Sequence, residues 1–430
     1  MLFLLFSILL ILLIIIGVPV GFSMGALSAL LLKLETNLPL VAIVQRMSSG
    51  VDSFPLMAIP FFIFAGSIMS RGIFAKKLID FAYALVGHVR GGMGMVAVLA
   101  CMFFAALSGS AVATAACIGA LMIPSMTRLG YDDDFSSALV ASSAVMGPII
   151  PPSVPMIVYC CATTGASIAT MFMAGVIPGV LLGISLMIVC YFTAKKKGYP
   201  VGEKLSAKEK FKNFIHAIPA LMMPLIILGG IYGGIFTPTE AAVVAVLYAV
   251  LLELVFYRDM TLKEFFKIAE DSAISSAGIL FVIATANAVS WVLATLRVPQ
   301  MLTDAVLGFT NSKFVLLLLV NIILLIAGCF METNAAILIL APILAPIMAS
   351  VGVDAIYLGI IFIVNINIGL ITPPVGMCLY VVDNISKVDF GKMLRRVIPM
   401  LIAEITVLLL LTYCEPIIKF LPNLIESIKH

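Results

Sequence analysis

Apolar residues fill this chain in long stretches, and the polar positions between them are few and clustered, so elements can be read from where each stretch stops. Residues 1–34 are too long for one membrane helix and carry Gly17-Val18-Pro19 in the middle, which predicts two helices joined by a tight turn. The first of these, 1–16, lacks a basic n-region and a small-residue cleavage site, and reads as a span, not a cleaved signal. Residues 38–53 hold Gln45, Arg46 and Asp52 and predict an interfacial arm. A span over 54–70, with prolines 55 and 60 near its start, and a polar connection over 71–92 follow. Two apolar arms of about 16 residues, 93–107 and 111–126, flank Ser108-Gly109-Ser110; at the lower limit of spanning length they predict a re-entrant hairpin over 93–126. Asp132, Asp133 and Asp134 are placed to cap 135–146. That helix stops at Gly147-Pro148-Ile149-Ile150-Pro151-Pro152-Ser153, where prolines remove backbone donors, and 152–163 completes a discontinuous helix over 135–163. A clean span occupies 171–193.

Residues 194–213 carry seven lysines against two glutamates and predict a soluble linker. Behind it the order begins again. A helix pair (217–236, 239–256), an amphipathic arm (257–271) and a span (274–296) lead to a hairpin over 314–350 with Glu332-Thr333-Asn334 at its tip. A discontinuous helix over 355–383, broken at Gly369-Leu370-Ile371-Thr372-Pro373-Pro374-Val375-Gly376-Met377, and a final span (397–413) complete the second half. The tips, taken at Ser108 and Glu332, are 224 residues apart and the breaks 222, and Leu85-Val86-Gly87 answers Val306-Leu307-Gly308. The expected fold is an all-α polytopic membrane protein of two structural repeats, 1–193 and 214–430, joined by the 194–213 linker. An odd number of crossings per half inverts the second copy.

Composition agrees with the pattern: 63% of the 430 residues are hydrophobic and 11% charged, against about 25% charged in soluble domains. The net charge of +3 says less than its placement. With the lysine-rich linker in the cytoplasm, as the positive-inside rule asks, 19 of the 25 Lys and Arg fall inside, and both termini fall in the periplasm. The eight cysteines show no paired metal or redox spacing and read as small packing residues. The three histidines lie in polar connections or at the terminus, so neither zinc nor haem is expected. No Walker lysine motif or kinase set appears, and no nucleic acid is expected as a partner. An ion gradient is the simplest source of energy.

Each tip would join a helix C-terminus to a helix N-terminus beside the broken helix of its own half. Freed carbonyls suit a hard monovalent cation such as sodium, and N–H groups at helix starts suit a carboxylate. Hydroxyls at Ser108, Ser110, Ser153, Thr333 and Thr372 add ligands without a buried charge. That Gly, Ser and Pro serve only kinks and close packing fits a single tip equally well, but not two tips and two breaks in register. Glu332 is open to three roles: cation ligand, proton carrier, or cap on the N–H groups of Thr333 and Asn334. Glu240, in Thr237-Pro238-Thr239-Glu240, reads as ordinary capping. Arg46, Asp52 and Arg297 are placed toward the outside, as interfacial anchors or anion-steering groups.

The stretches SFPLMAIPFFIFAG (53–66), SGSAVATAACIGALMIPSM (108–126), GPIIPPSVPMIVY (147–159), GGIYGGIFTPTEAA (229–242), METNAAILILAPILAPI (331–347) and GLITPPVGMCLYV (369–381) together resemble the large membrane subunit of tripartite ATP-independent periplasmic (TRAP) transporters. The resemblance covers nearly the whole chain. It implies an elevator-type, sodium-coupled secondary transporter, not an enzyme, in the bacterial inner membrane. Its partners would be a periplasmic substrate-binding protein that delivers an organic acid and a small four-helix membrane subunit. The family's sodium and substrate sites map onto Ser108, Gly109, Ser110, Gly147, Pro151, Pro152 and Ser153 in the first half, and Glu332, Thr333, Asn334, Gly369, Thr372, Pro373 and Met377 in the second. Two equivalent sites give at least two sodium ions. Sialic acid, C4-dicarboxylates and other carboxylates are served by similar chains. The alternatives are a stand-alone sodium/carboxylate symporter and a membrane-embedded enzyme; the latter would want a histidine or paired acids facing a serine at mid-depth.

Overall fold

The computed structural model describes the chain except residues 1–8, 11, 14, 15, 71, 311 and 430, and the side chains of 72, 305–307, 309, 428 and 429. The span expected over 1–16 lies mostly outside the described residues. Those residues form helices without strands. Among the described residues, seven helices are long and apolar enough to cross a membrane, or up to nine if each bent pair counts as one span.

Helix α1 (Val20–Glu35) and α2 (Val41–Val51) pack along a later helix, α12 (Leu262–Thr295). The arm is docked there: Arg46 lies 5.0 Å over the Trp291 ring, and a Cβ at Gly50 would collide with Asn287. The expected span over 54–70 is shorter than predicted. Pro55 holds its start in a 3-10 turn, Phe54–Met57, and the helix proper, α3 (Ala58–Met69), has 12 residues, about 18 Å. The expected polar connection over 71–92 is a helix, α4 (Gly72–Val86). Its Phe74, Ala75, Leu78 and Ala82 are buried at helical spacing while Lys76 and Asp80 fall outside that face, so period and not composition decides.

Helices α5 (Gly92–Ser108) and α6 (Ala111–Arg128) form the first hairpin; α7 (Asp133–Ala144) and α8 (Val154–Ala162) are the halves of the first discontinuous helix. Asp132 precedes α7 without capping it through its side chain, contrary to expectation. Its carboxylate is taken by Lys197 at 2.9 Å and Arg396 at 3.1 Å. Helix α9 (Ile168–Lys197) runs into the expected linker and α10 begins at Ala207 (Ala207–Tyr232), so only 198–206 are loop. Capping boxes start α10, α11 (Pro238–Leu251) and α12, the second of them pairing Thr237 with Glu240 as expected. The arm and span expected over 257–296 are largely one helix, α12, because nothing breaks the 34 residues after the Thr261–Glu264 box. A helix not foreseen, α13 (Val298–Phe309), precedes the second hairpin, α14 (Lys313–Phe330) and α15 (Thr333–Ser350). The second discontinuous helix is α16 (Ala355–Gly369) with α17 (Met377–Ser386). Helix α18 (Phe390–Tyr413) is followed, at a 66° bend, by α19 (Glu415–Lys429), which was also not foreseen.

Two groupings emerge. Helices α1–α3 with α10–α12 form one, and α4 bridges the two by packing on both α10 and α5; the hairpins, broken helices, α9 and α18 form the other, with α7 and α16 nearly all buried inside it. Outward, α14 exposes Phe314, Leu318, Ile322, Ile326 and Phe330, a face suited to lipid. Several features recur at an offset of 222 residues: the ion pairs Asp132–Lys197 and Asp354–Lys419, the N-caps Ser110 and Glu332, and Gly147 and Gly369 at the breaks. The offset of 224 came from matching Ser108 to Glu332; the caps put the tips in the register of the breaks. Asp132 lies beside the start of α18 and Asp354 beside α19, past its end.

The bonded Lys197 ammonium, with Tyr199 and Arg396, holds the Asp132 carboxyl below its ordinary range. A depressed carboxyl contributes stability above its unfolded pKa and loses it as pH falls through the folded value. Asp132→Asn is therefore expected to cost less than about 1 kcal/mol at neutral pH, since the pair is partly exposed. The difference should vanish in acid when unfolding in detergent is compared for the two proteins.

Candidate functional site

At the first tip α5 ends on Ser108, Gly109 turns the chain with φ +60°, and Ser110 caps α6 by accepting from the Ala113 N–H at 3.4 Å. Ser108 and Thr114 hydroxyls lie 2.9 Å apart, and Thr114 donates to the Ser110 carbonyl at 2.7 Å. The first break sits directly behind. A Cβ at Gly147 would lie 2.6 Å from the Ser110 carbonyl, and one at Gly109 would lie 3.0 Å from the Pro152 carbonyl. Ser153 is buried, donates to the Pro148 carbonyl and caps α8 by accepting from Met156 N–H at 3.3 Å. Pro151 and Pro152 are buried, with a cis peptide between them.

The second tip repeats this plan with different chemistry. Glu332 caps α15: its carboxylate accepts from the backbone N–H of Asn334 at 2.9 Å and of Ala335 at 3.3 Å, and from the Asn334 amide at 2.8 Å. Thr333 donates to the Asn367 side chain at 3.1 Å, and Asn367 in turn donates to the Ile363 carbonyl at 2.7 Å. A Cβ at Gly369 would lie 2.4 Å from the backbone of Gly328, in the last turn of α14. Thr372 donates to the Ile368 carbonyl at 2.9 Å. Pro373 and Pro374, also joined in cis, are exposed, unlike the first pair.

Both tips open on one cavity of about 270 Å³. Of the residues singled out in the sequence, Ser108, Gly109, Ser110, Glu332, Thr333, Asn334 and Met377 line it. Gly147, Pro151, Pro152, Ser153, Gly369, Thr372 and Pro373 do not; Gly147, Pro152 and Gly369 approach the hairpins from behind, and Pro373 is exposed. The opposite wall belongs to α3 and α12, through Gly66, Ser67, Ser70, Ser275 and Ile279. Sequence reasoning missed these serines, because single hydroxyls in apolar helices carry no signature. It also missed Asn365 and Asn367, both fully buried, whose signal was there to see: two amides in an otherwise apolar run before the break.

The two helix starts facing the cavity are unlike. That of α15 is occupied by the Glu332 carboxylate, whereas that of α6 has only the Ser110 hydroxyl, and Ala111, Val112 and Ala113 of its first turn line the space. A helix N-terminus carries a partial positive charge, so the α6 end favours an anion and the Glu332 end a cation. Among the described residues no lysine or arginine lines the cavity.

The family model for the DctM component of tripartite ATP-independent periplasmic transporters matches residues 7–417. The chain belongs to that family. It is therefore the large permease of a TRAP transporter, a multi-pass membrane protein. The DctM-family relatives include the C4-dicarboxylate TRAP transporter large permease protein DctM of Pseudomonas aeruginosa, 43% identical over 93% of this chain and 94% of that one. The sialic acid TRAP transporter large permease protein SiaM of Vibrio cholerae is 40% identical over 95% of each chain. The Alcanivorax borkumensis YdaH transporter has a similar fold, with a TM-score of 0.64 over 86% of each chain at 14% identity.

Proposed function

We propose that this TRAP permease is the sodium-coupled membrane step in the import of an organic acid handed over by a periplasmic binding protein. The observation that carries the proposal is the meeting of both hairpin tips at one cavity walled on its other side by α3 and α12. Oxygen ligands without a nearby cation suit sodium, and the uncovered start of α6 suits the substrate carboxylate. At least two sodium ions, one behind each tip, would be held by backbone carbonyls and by the hydroxyls of Ser110 and Thr333. The relatives named for sialic acid and C4-dicarboxylates point to substrates of that class. The halves are read as inverted repeats; supporting this, the paired Asp132 and Asp354 lie toward opposite ends of α18 at the 222-residue register.

In this reading the hairpins and broken helices move as one body past α1–α4 and α10–α12, and a small four-helix subunit broadens that stationary frame in the inner membrane. Reconstitution of this chain with candidate small and periplasmic subunits should give uptake only when all three are present. Full sodium-driven activity from this chain alone would favour the stand-alone symporter. Disulfide cross-links between cysteines at Ser67 and at Val112 should form in one set of sodium and substrate conditions and fail in another. One fixed distance under every condition would contradict the elevator. Cysteine labelling also tests orientation, since Lys208→Cys is expected to react with impermeant reagents only from the cytoplasmic side.

A further inference from the structure

Glu404 stands in the middle of α18 with 1% of its surface exposed, and neither carboxylate oxygen has a hydrogen-bond partner among the described residues. It does not line the tip cavity. The helix runs unbroken from Phe390 to Tyr413, so its carbonyls are spent on the helix itself. Pro399 frees only the carbonyl of Arg395, more than two turns away.

The charged groups of the elements packed against α18 gather at its ends. Asp132, Asp133 and Asp134 at the start of α7 and Lys195, Lys196 and Lys197 at the end of α9 lie toward Arg396, about 12 Å back along the helix from Glu404. Asp354 before α16, and Glu415, Lys419 and Glu426 of α19, lie past Tyr413. Tyr357 of α16 donates to the Thr412 carbonyl at the same end; between the ends α9 offers Cys190, and α7 offers Ser137 and Ser142, whose buried hydroxyls also lack partners among the described residues. Cys378 of α17 lies within electrostatic reach of Glu404, and the same helix carries Asp383 more than a turn further along. Packing alone does not call for an acid here: one register of 222 residues earlier stands Leu182, fully buried in α9.

An ionised carboxylate buried without a partner costs several kcal/mol more than the neutral acid. We propose that Glu404 is a proton-binding site separate from the tip cavity: it enters this packed arrangement carrying a proton and releases it to water when the seam between α7, α17 and α18 opens. Such a group stabilises the packed protein at low pH, and the contribution is lost as pH rises.

The test follows unfolding of the purified protein from mildly acidic to alkaline pH, with infrared detection of the carboxylic-acid C=O stretch. The unfolding constant of the unmodified chain is expected to rise by up to about tenfold per pH unit relative to Glu404→Gln, and a carboxylic-acid band present at neutral pH should be missing from Glu404→Gln. If Glu404→Gln does not assemble, Glu404→Leu, which copies Leu182, replaces it. Superimposable pH profiles, or an infrared spectrum unchanged by the substitution, would overturn the proposal. Neither readout depends on uptake, so the result is independent of the sodium reading.

Discussion

Gly147→Ala and Gly369→Ala are each expected to abolish uptake while the protein still inserts. A Cβ at Gly147 would lie 2.6 Å from the Ser110 carbonyl, and one at Gly369 would lie 2.4 Å from the Gly328 carbonyl carbon. In both cases the obstacle is backbone, which cannot swing aside as the end of a flexible side chain can. Tip and break must separate, and a displacement of about 1 Å between groups that act together can cost about a hundredfold in rate. Uptake per inserted molecule, with insertion measured by surface labelling, is the readout. Gly229→Ala and Gly278→Ala, where a Cβ would meet open space, are the controls and should transport normally. Wild-type rates for Gly147→Ala would mean that close approach of tip and break is dispensable.

Asn367→Leu should be the most damaging change outside the tips and breaks. Asn367 accepts the Thr333 hydroxyl at 3.1 Å, and both groups are buried. Leucine leaves that hydroxyl without its acceptor, a penalty of about 1–3 kcal/mol, or from about fivefold to somewhat over a hundredfold in any equilibrium that needs the tip in place. The sodium concentration for half-maximal uptake is expected to rise accordingly. Thr333→Val removes the donor as well, so the double variant should lose less than the sum of the single losses. Additive losses would show that the two side chains act separately.

Tips and breaks are legible because glycine, serine and proline interrupt apolar runs, and in a bilayer such interruptions are confined to places where protein or water satisfies the freed backbone groups. Ser110 and Glu332, the caps of α6 and α15, can be read in this way. The alignment between them is harder, since it depends on which polar residue becomes the cap, and at the first tip the cap is the second serine, not the first. Elements judged by polarity alone fare worse. Lys76, Lys77 and Asp80 hide the amphipathic period of α4, and charges in the first turns of α12 hide its continuity with the apolar part. The wall formed by Ser67, Ser70 and Ser275 depends on tertiary packing. No local pattern distinguishes those hydroxyls from others in apolar helices.

In the proposed cycle an ion gradient drives acid uptake through sodium held at the two tips. The direct measurement is uptake into vesicles containing the assembled transporter, with a sodium gradient and a proton gradient imposed separately. Accumulation driven by sodium without a proton gradient, with at least two sodium ions entering per acid and sodium dependence kept in Glu332→Gln, is the predicted result. Uptake that follows a proton gradient with no sodium present would contradict it.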